Sequence, residues 1–255
     1  MLAIAAALAA PVLAPYDPAR QHYDRILAEP GPEHPLGTDQ LGRDVLSRLL
    51  WGARVSLAVG ILTQVIVVGV GVAVGAAAGV AGGRVDNLLM RLTDVVYALP
   101  ELLLAILLRA VVGSSPVMLI VAIGLASWVG VARLTRGQML TLKERDFVRA
   151  ARAMGAGPIW ITRRHLLPNA AGPLIILLTF NVPRAVFAEA ALSYIGIGIA
   201  PPTPSWGSMI QEGAQAIFAA PTLVLFPSLA IVGTMLAFTL LGDGLRDQLD
   251  PRASG

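Results

Sequence analysis

Long apolar runs alternate with short charged segments along this chain. Five of the runs are long enough to cross a bilayer, and they cover residues 57–82, 95–112, 116–134, 172–199 and 222–241. A helix needs about 17–25 mostly apolar residues to cross about 30 Å of hydrocarbon. The runs are rich in Ala and Leu and lack the two-residue alternation of strands, which favours helices over a barrel. The pattern therefore predicts an all-α, polytopic membrane helical bundle.

A shorter apolar run occupies residues 1–14. It would extend about 21 Å as a helix, which is too short to cross, and it lacks the basic start of a signal peptide. We therefore predict a first transmembrane helix truncated at the N-terminus, and about six transmembrane helices in all. The remaining divisions are an extracytoplasmic segment at 15–56, a transmembrane core at 57–243 and a tail at 244–255.

The pattern of residues 34–54 predicts a short amphipathic helix that begins near Gly42. Leu41, Val45 and Leu49 recur at four-residue steps, with Arg43 and Arg48 polar. This element could receive an extracytoplasmic binding protein or cap the bundle, and capping is slightly favoured.

Composition agrees with a membrane protein, because 56% of residues are hydrophobic and 14% are charged. Soluble domains have about 45–50% apolar and about 25% charged residues. The net charge of +3 does not indicate nucleic-acid binding, since the basic residues cluster between apolar runs. The absence of cysteine excludes disulfides and thiol chemistry. The three histidines are scattered, so no clustered catalytic site is expected.

The distribution of basic residues predicts the orientation in the membrane. Residues 133–164 carry seven Arg and one Lys, whereas residues 199–221 carry none. Because basic loops remain cytoplasmic, we expect the first segment inside the cell and the second outside. Both chain ends are then cytoplasmic.

Two groups of membrane-embedded residues are candidates for packing or transport. Glycines recur every four residues at Gly71, Gly75, Gly79 and Gly83, a spacing that lets another helix approach closely, within this chain or in another subunit. Polar residues at membrane depth are functional candidates by default. Here they line a water-filled pathway or form buried polar pairs, and they are Glu101, Asn181, Arg184 and Glu189.

Residues 145–169 predict two short helices joined by a glycine turn. Phe147, Ala151 and Met154 share one face of the first helix, and arginines occupy another. Gly155-Ala156-Gly157 permits a sharp exit, Pro158 can open a second helix, and Pro168 is expected to stop it. The segment is either a docking projection or an amphipathic element on lipid headgroups.

The same stretch resembles the EAA loop of ABC importer permeases. That loop has E-A-A, three residues, G, nine residues, I, one residue and L-P, and here Ala150-Ala151, Gly155 and Leu167-Pro168 match it in spacing. Arg149 stands where the pattern has Glu, and His165 where it has Ile. The resemblance implies a coupling loop at 137–171, whose candidate residues are Phe147, Arg149, Ala150, Ala151, Met154, Gly155, His165, Leu167 and Pro168.

Further motifs resemble the C-type subunit of dipeptide, oligopeptide and nickel permeases. They are His34-Pro35-Leu36-Gly37-Thr38-Asp39, Gly42-Arg43-Asp44, Ser47-Arg48, Glu189-Ala190-Ala191-Leu192-Ser193, Pro204-Ser205-Trp206-Gly207, Gly242-Asp243-Gly244-Leu245-Arg246-Asp247 and Asp250-Pro251-Arg252. The resemblance implies the type I importer permease fold, in the inner membrane of a bacterium or archaeon. It also implies half of a translocation pathway for peptides, with nickel or glutathione as alternative cargo. A secondary transporter is less favoured, because the chain has no convincing internal repeat.

The partners follow from what this chain lacks. Its single lysine, Lys143, stands between Leu142 and Glu144 and not in a phosphate-binding GxxxxGK[ST] loop. This subunit is therefore expected to be non-catalytic and to bind no cofactor, with ATP and Mg²⁺ held by partner subunits. The resemblance implies a second, B-type permease subunit, two ATP-binding subunits and an extracytoplasmic substrate-binding protein. Membrane lipid surrounds the bundle, and no metal or nucleic acid is expected.

Overall fold

A computed structural model describes residues 7–113 and 115–249 of the chain. The described residues form helices and no strand, with one isolated bridge between Thr38 and Asp44. The helices are α1 (Ala10–Leu13), α2 (Val45–Ala81), α3 (Gly83–Tyr97), α4 (Glu101–Val112), α5 (Pro116–Ser127), α6 (Val129–Leu142), α7 (Asp146–Ala153), α8 (Pro158–Ile161), α9 (Leu167–Tyr194), α10 (Trp206–Ala214) and α11 (Thr222–Leu249).

The described helices are sufficient for a polytopic membrane protein. Three of them, Val45–Ala81, Pro158–Tyr194 and Thr222–Gln248, are each long and apolar enough to cross a bilayer. Two bent pairs raise the number to five if each pair forms one span: α3 with α4, bent by 90°, and α5 with α6, bent by 47°. Pro100 lies at the first break, where its ring disfavours a continuous helix. The predicted all-α membrane architecture is confirmed.

The structure revises the element predicted near Gly42 and adds helical structure to the predicted tail. No separate amphipathic helix begins near Gly42, because Val45 starts a helix that continues without interruption to Ala81. The charged Arg48 does not end it, since its guanidinium group is paired inside the protein. At the other end, α11 extends to Leu249, so residues 244–249 are helical. Residues 1–6 of the predicted first helix and residues 250–255 of the predicted tail lie outside the described residues.

The chain divides into two compact units. The first contains the residues up to Leu62 together with Arg109–Ile120 and Val182–Thr239. Its core includes Val45, Leu57, Val186 and Trp206. The Trp206 indole nitrogen donates to the Leu49 carbonyl at 3.1 Å, which fixes the start of α10 against α2.

The second unit contains Thr63–Leu108, Val121–Asn181 and the residues from Leu240 onward. Here α2 lies against α6 at glycines. A Cβ at Gly75 would stand 2.7 Å from the Thr135 Cβ, and one at Gly79 would stand 2.6 Å from the Met139 Cβ. Gly71 makes a similar approach to Val131. Gly83 does not share this contact, because the chain leaves α2 at Ala81 and no atom lies within 4 Å of a Cβ there.

Candidate functional site

The segment from Lys143 to Ala170 is anchored to the second unit by its apolar side chains. On α7, Val148 and Ala151 face inward and are 0% and 2% exposed. They pack in one cluster with Met139 of α6 and with Ile161 and Leu166 from the return of the chain. Residues three apart lie on one helix face, so this pair leaves the opposite face of α7 free. Ala151 was predicted to dock a partner, but it packs inside the protein.

Gly155 ends α7 with a left-handed turn. Its φ is +86°, a conformation that L side chains rarely adopt. The Ala156 N–H donates to the Ala151 carbonyl at 3.0 Å, and the Gly155 N–H donates to the Arg152 carbonyl at 2.9 Å. These two bonds form a Schellman cap, which satisfies carbonyls at the helix end and reverses the chain toward Pro158.

The prediction that Pro168 stops the second short helix is wrong. The helix runs from Pro158 to Tyr194, and residues Thr162–Leu166 form a π-helical turn within it. The Leu167 N–H donates to the Thr162 carbonyl, five residues back. This wider turn lies just before Pro168, where a proline in an α-helix removes one backbone bond and crowds the preceding turn. The helix therefore continues through the proline.

Large apolar side chains project from the outside of this segment. Met154 is 82% exposed, Ile159 72%, Trp160 51% and Phe147 39%. The His165 ring lies between Phe147 and Trp160, with centroid distances of 5.9 and 5.1 Å. The sequence analysis named Phe147 and Met154 as docking residues but missed Ile159 and Trp160. The available signal was an apolar pair placed between Pro158, which opens a helix, and the basic Arg163-Arg164. Of the other predicted residues, Leu167 is half-buried against the anchoring cluster and Pro168 is exposed.

The same surface is basic. Its exposed arginines are Arg145, Arg149, Arg152, Arg163 and Arg164. Among the residues that the structure describes, Arg149 alone of these five makes an ion pair, with Asp146 at 3.6 Å. A cavity of about 260 Å³ beside Pro158 is lined by Lys143 and Arg152. The Lys143 ammonium donates to the Gly79 carbonyl at 3.2 Å, which ties the start of the segment to α2.

The four membrane-depth polar candidates do not form one cluster. Glu189 is fully buried, and it accepts hydrogen bonds from Ser56 at 2.9 Å and Ser193 at 2.6 Å. Glu101 is exposed and accepts from Ser127 at 2.6 Å. Arg184 is exposed and Asn181 is half-buried. Glu189 is therefore a buried anchor in the first unit, whereas Arg184 on the same helix is accessible from outside the chain.

A buried network of charges was not predicted from the sequence. Arg43 donates to Asp39 at 2.6 Å and to Glu212 at 2.5 Å, while Arg48 donates to Glu212 at 2.8 Å. His34 Nδ1 and Asp44 Oδ1 lie 2.9 Å apart. The contacts of Arg43 and Arg48 with Glu212 join residues 39–48 to α10, and these side chains line a cavity of about 310 Å³. The charged residues of the Gly37–Arg48 motifs were the only sequence signal for this network. They do not indicate that Glu212, far along the chain, is their partner.

Comparison with known proteins places this arrangement in a family. Residues 71–255 match the family described as binding-protein-dependent transport system inner membrane component. The chain belongs to that family. Its resemblance to ABC importer permeases is thus confirmed, and its role is that of a permease subunit in transport, not that of an enzyme.

Two transport permease proteins have the same sequence identity to this chain. The dipeptide transport system permease protein DppC of Bacillus subtilis (strain 168) is 43% identical over 247 residues, which cover 96% of this chain and 77% of that protein. The glutathione transport system permease protein GsiD of Escherichia coli O6:K15:H31 (strain 536 / UPEC) is 43% identical over 256 residues, covering 100% of this chain and 84% of that protein.

A solved structure shares the permease fold. An inward-facing structure of the MetNI methionine ABC transporter matches with a TM-score of 0.63 and 21% sequence identity. The match covers 79% of this chain and 96% of that one. At this identity the comparison bears on the fold alone, and it agrees with the predicted importer permease architecture.

Proposed function

We propose that this chain is the transmembrane subunit of an ATP-driven importer and forms half of a translocation pathway for peptides. A second, B-type permease subunit supplies the other half, two ATP-binding subunits hydrolyse ATP, and an extracytoplasmic binding protein delivers the cargo. ATP and Mg²⁺ are bound by the ATPase partners, and this chain holds no cofactor. The relatives named for dipeptide and glutathione transport support cargo of the peptide class.

One observation carries the proposal: the segment 143–170 is anchored on one side and exposed on the other. Val148, Ala151, Ile161 and Leu166 pack inward, while Met154, Ile159 and Trp160 are exposed. A loop with no partner would gain nothing from presenting three large apolar side chains to water. We assign this surface to the ATPase subunit. The excess of basic residues puts it on the cytoplasmic side, with both chain ends cytoplasmic and the 15–44 segment outside.

Two glycine substitutions test the coupling role. Gly155 and Gly157 both have room for a side chain, since no atom lies within 4 Å of a Cβ at either residue. They differ in backbone, because Gly155 has φ +86° and Gly157 has φ −74°. Gly155→Val should therefore distort the loop, while Gly157→Val, in an extended conformation suited to the residue before proline, serves as the matched control.

The measurement is ATP-dependent uptake and ATPase activity in proteoliposomes that contain the complete complex. Gly155→Val should leave membrane insertion intact and reduce uptake relative to ATP hydrolysed, while Gly157→Val behaves like the unaltered chain. Unchanged uptake per ATP in Gly155→Val would refute the coupling role. Uptake driven by an ion gradient without ATP would refute the importer assignment as a whole.

The cargo is tested through the binding protein. Purified with the complex, it should retain peptides, and competition among dipeptides, longer peptides, glutathione and Ni²⁺ should rank their affinities. Preference for dipeptides or oligopeptides supports the assigned cargo, and preference for glutathione narrows it to one tripeptide. Selective retention of Ni²⁺ would overturn the peptide assignment while leaving the importer intact.

A further inference from the structure

The free face of α7 combines small residues with one arginine, Arg149, and with the exposed Asp146 in its first turn. Val148 and Ala151 define the inward face, so Arg149, Ala150 and Ala153 point away from the protein, and all three are exposed. Alanines permit a close approach by another protein surface, because no long side chain holds it away. A partner that contacts Ala150 and Ala153 therefore also meets the guanidinium group of Arg149.

Arginines and apolar residues occupy opposite flanks of this face. Seven residues make nearly two helical turns, so residues seven apart lie within about 20° of each other around the axis. Arg152 lies on one flank of the helix and Phe147 on the other, and the cap residues Arg145 and Met154 stand one such period away from them, next to the same flanks. One flank is thus basic and the other apolar.

The charge of Arg149 is not neutralised within the protein. Its contact with Asp146 is long, at 3.6 Å, and the two side chains are 65% and 100% exposed. An exposed pair of this kind is largely screened by water and does not hold the guanidinium group in place. Arg149 is therefore available to pair with a charge from outside.

A protein partner fits this surface better than lipid headgroups do. An amphipathic helix on a membrane buries its apolar face among the acyl chains. The apolar face of α7 is already covered by Ile161 and Leu166 of the same chain. The strip that faces directly outward is Arg149, Ala150 and Ala153, while the exposed apolar side chains of Phe147 and Met154 lie on one flank, beside the arginines. Burying that flank among acyl chains would not pair the charge of Arg149, whereas a protein groove can contact the apolar flank and the arginines together.

We propose that the ATPase docking groove carries a carboxylate opposite Arg149 and further acidic residues on the wall that faces Arg145 and Arg152. This inference rests on the proposed function and specifies the chemistry of the partner. Arg149 stands where the EAA pattern has Glu, so a carboxylate opposite it would reverse the sign of the charges that this pattern implies at the contact. An interfacial pair removed from water depends strongly on the correct sign of both charges.

The test measures binding of the purified ATPase subunit to the permease pair in nanodiscs made with neutral lipid. Arg149→Glu should weaken binding at least about tenfold, and Arg149→Lys should retain most of the affinity. Arg91→Glu is the matched control, because Arg91 is an exposed arginine of α3 on the same predicted side, outside the segment. Binding by the unaltered chain should weaken as the NaCl concentration rises.

A reciprocal substitution identifies the partner residue. Single acid-to-arginine substitutions in the ATPase groove are combined with Arg149→Glu, and one of them should restore binding. Equal affinity of Arg149→Glu and the unaltered chain would overturn the inference and leave the proposed function standing. Loss of affinity only in nanodiscs with anionic lipid would overturn it in favour of headgroup binding. An unaltered chain that binds no ATPase would instead refute the proposed function.

Discussion

Asp86 and Arg136 form a two-point ion pair between α3 and α6. The Arg136 Nε donates to Asp86 Oδ1 at 2.5 Å, and its Nη2 donates to Oδ2 at 2.7 Å. A second pair between the same helices, Arg133 with Asp94, has one contact at 2.8 Å. The Asp86 side chain is 11% exposed and that of Asp94 is 65% exposed, so the two pairs differ mainly in solvation and geometry.

Asp86→Ala should destabilise the protein more than Asp94→Ala. The first change leaves the half-buried guanidinium group of Arg136 without its two carboxylate acceptors. It should lower the free energy of unfolding by about 1–3 kcal/mol. The second removes a solvated pair and should cost about 0–1 kcal/mol. Reversible unfolding in detergent micelles measures both, and equal losses would contradict the role given to the two-point geometry.

Gly75→Ala should push α2 and α6 apart, because the two helices pack closely together at this glycine. The added Cβ would lie 2.7 Å from the Thr135 Cβ and 3.0 Å from the Arg136 nitrogen. Such overpacking destabilises by about 1–3 kcal/mol. Gly69→Ala in the same helix is the control, since no atom lies within 4 Å of a Cβ there. It should be neutral or stabilise the helix by up to about 1 kcal/mol, and a loss as large as that of Gly75→Ala would contradict the packing argument.

Glu189→Gln should preserve both stability and uptake. Ser56 and Ser193 donate to separate carboxylate oxygens of Glu189, and within the described ranges this residue makes no ion pair. A glutamine keeps the shape, and a serine hydroxyl can rotate to accept from its amide. Glu189→Ala should instead cost about 2–4 kcal/mol through a cavity and two orphaned hydroxyls. A stable Glu189→Gln protein without uptake would show that the charge itself is needed for transport.

Arg109→Lys should loosen two loops at once. Arg109 is 5% exposed and donates to the carbonyls of Gly113, Ser115, Ile197 and Gly198 at 2.5–3.0 Å. A lysine concentrates its donors on one nitrogen and cannot reach both groups of carbonyls. Hydrogen exchange should accelerate around residues 113 and 197. Arg184→Lys, at an exposed arginine, should leave exchange unchanged, and protection retained in Arg109→Lys would contradict this bridging role.

The fold class could be predicted from the sequence because a membrane-spanning helix is a long apolar run of consecutive residues. The turn at Gly155 was predictable for the same reason, since its signal lies within five residues. The start of α2 was missed because Arg43 and Arg48 were read as the polar side of a separate amphipathic helix. Arg48 is 2% exposed only because Glu212, which follows it by 164 positions, lies beside it. No local pattern contains that pairing.

The candidate segment remains a prediction, and the structure changes which of its residues face outward. A helical wheel ranks residues by polarity, and it placed Ala151 with Phe147 and Met154 on one docking face. The structure turns Ala151 inward because Ile161 and Leu166 return over it. Pro168 was read as a helix stop, and the π turn that accommodates it has no clear sequence signal. Tertiary packing decided the position of Ala151, and a local widening of the helix before the proline decided the second case.

The two flanks of α7 differ in chemistry, and this difference determines the direction in which the helix can lie in a groove. The acidic wall proposed for the ATPase groove would receive Arg145 and Arg152, and an apolar wall opposite it would receive Phe147 and Met154. Turned end for end, the same helix would press its arginines against the apolar wall. If the ATPase docks as proposed, this helix of eight residues would fix the direction in which the permease binds it.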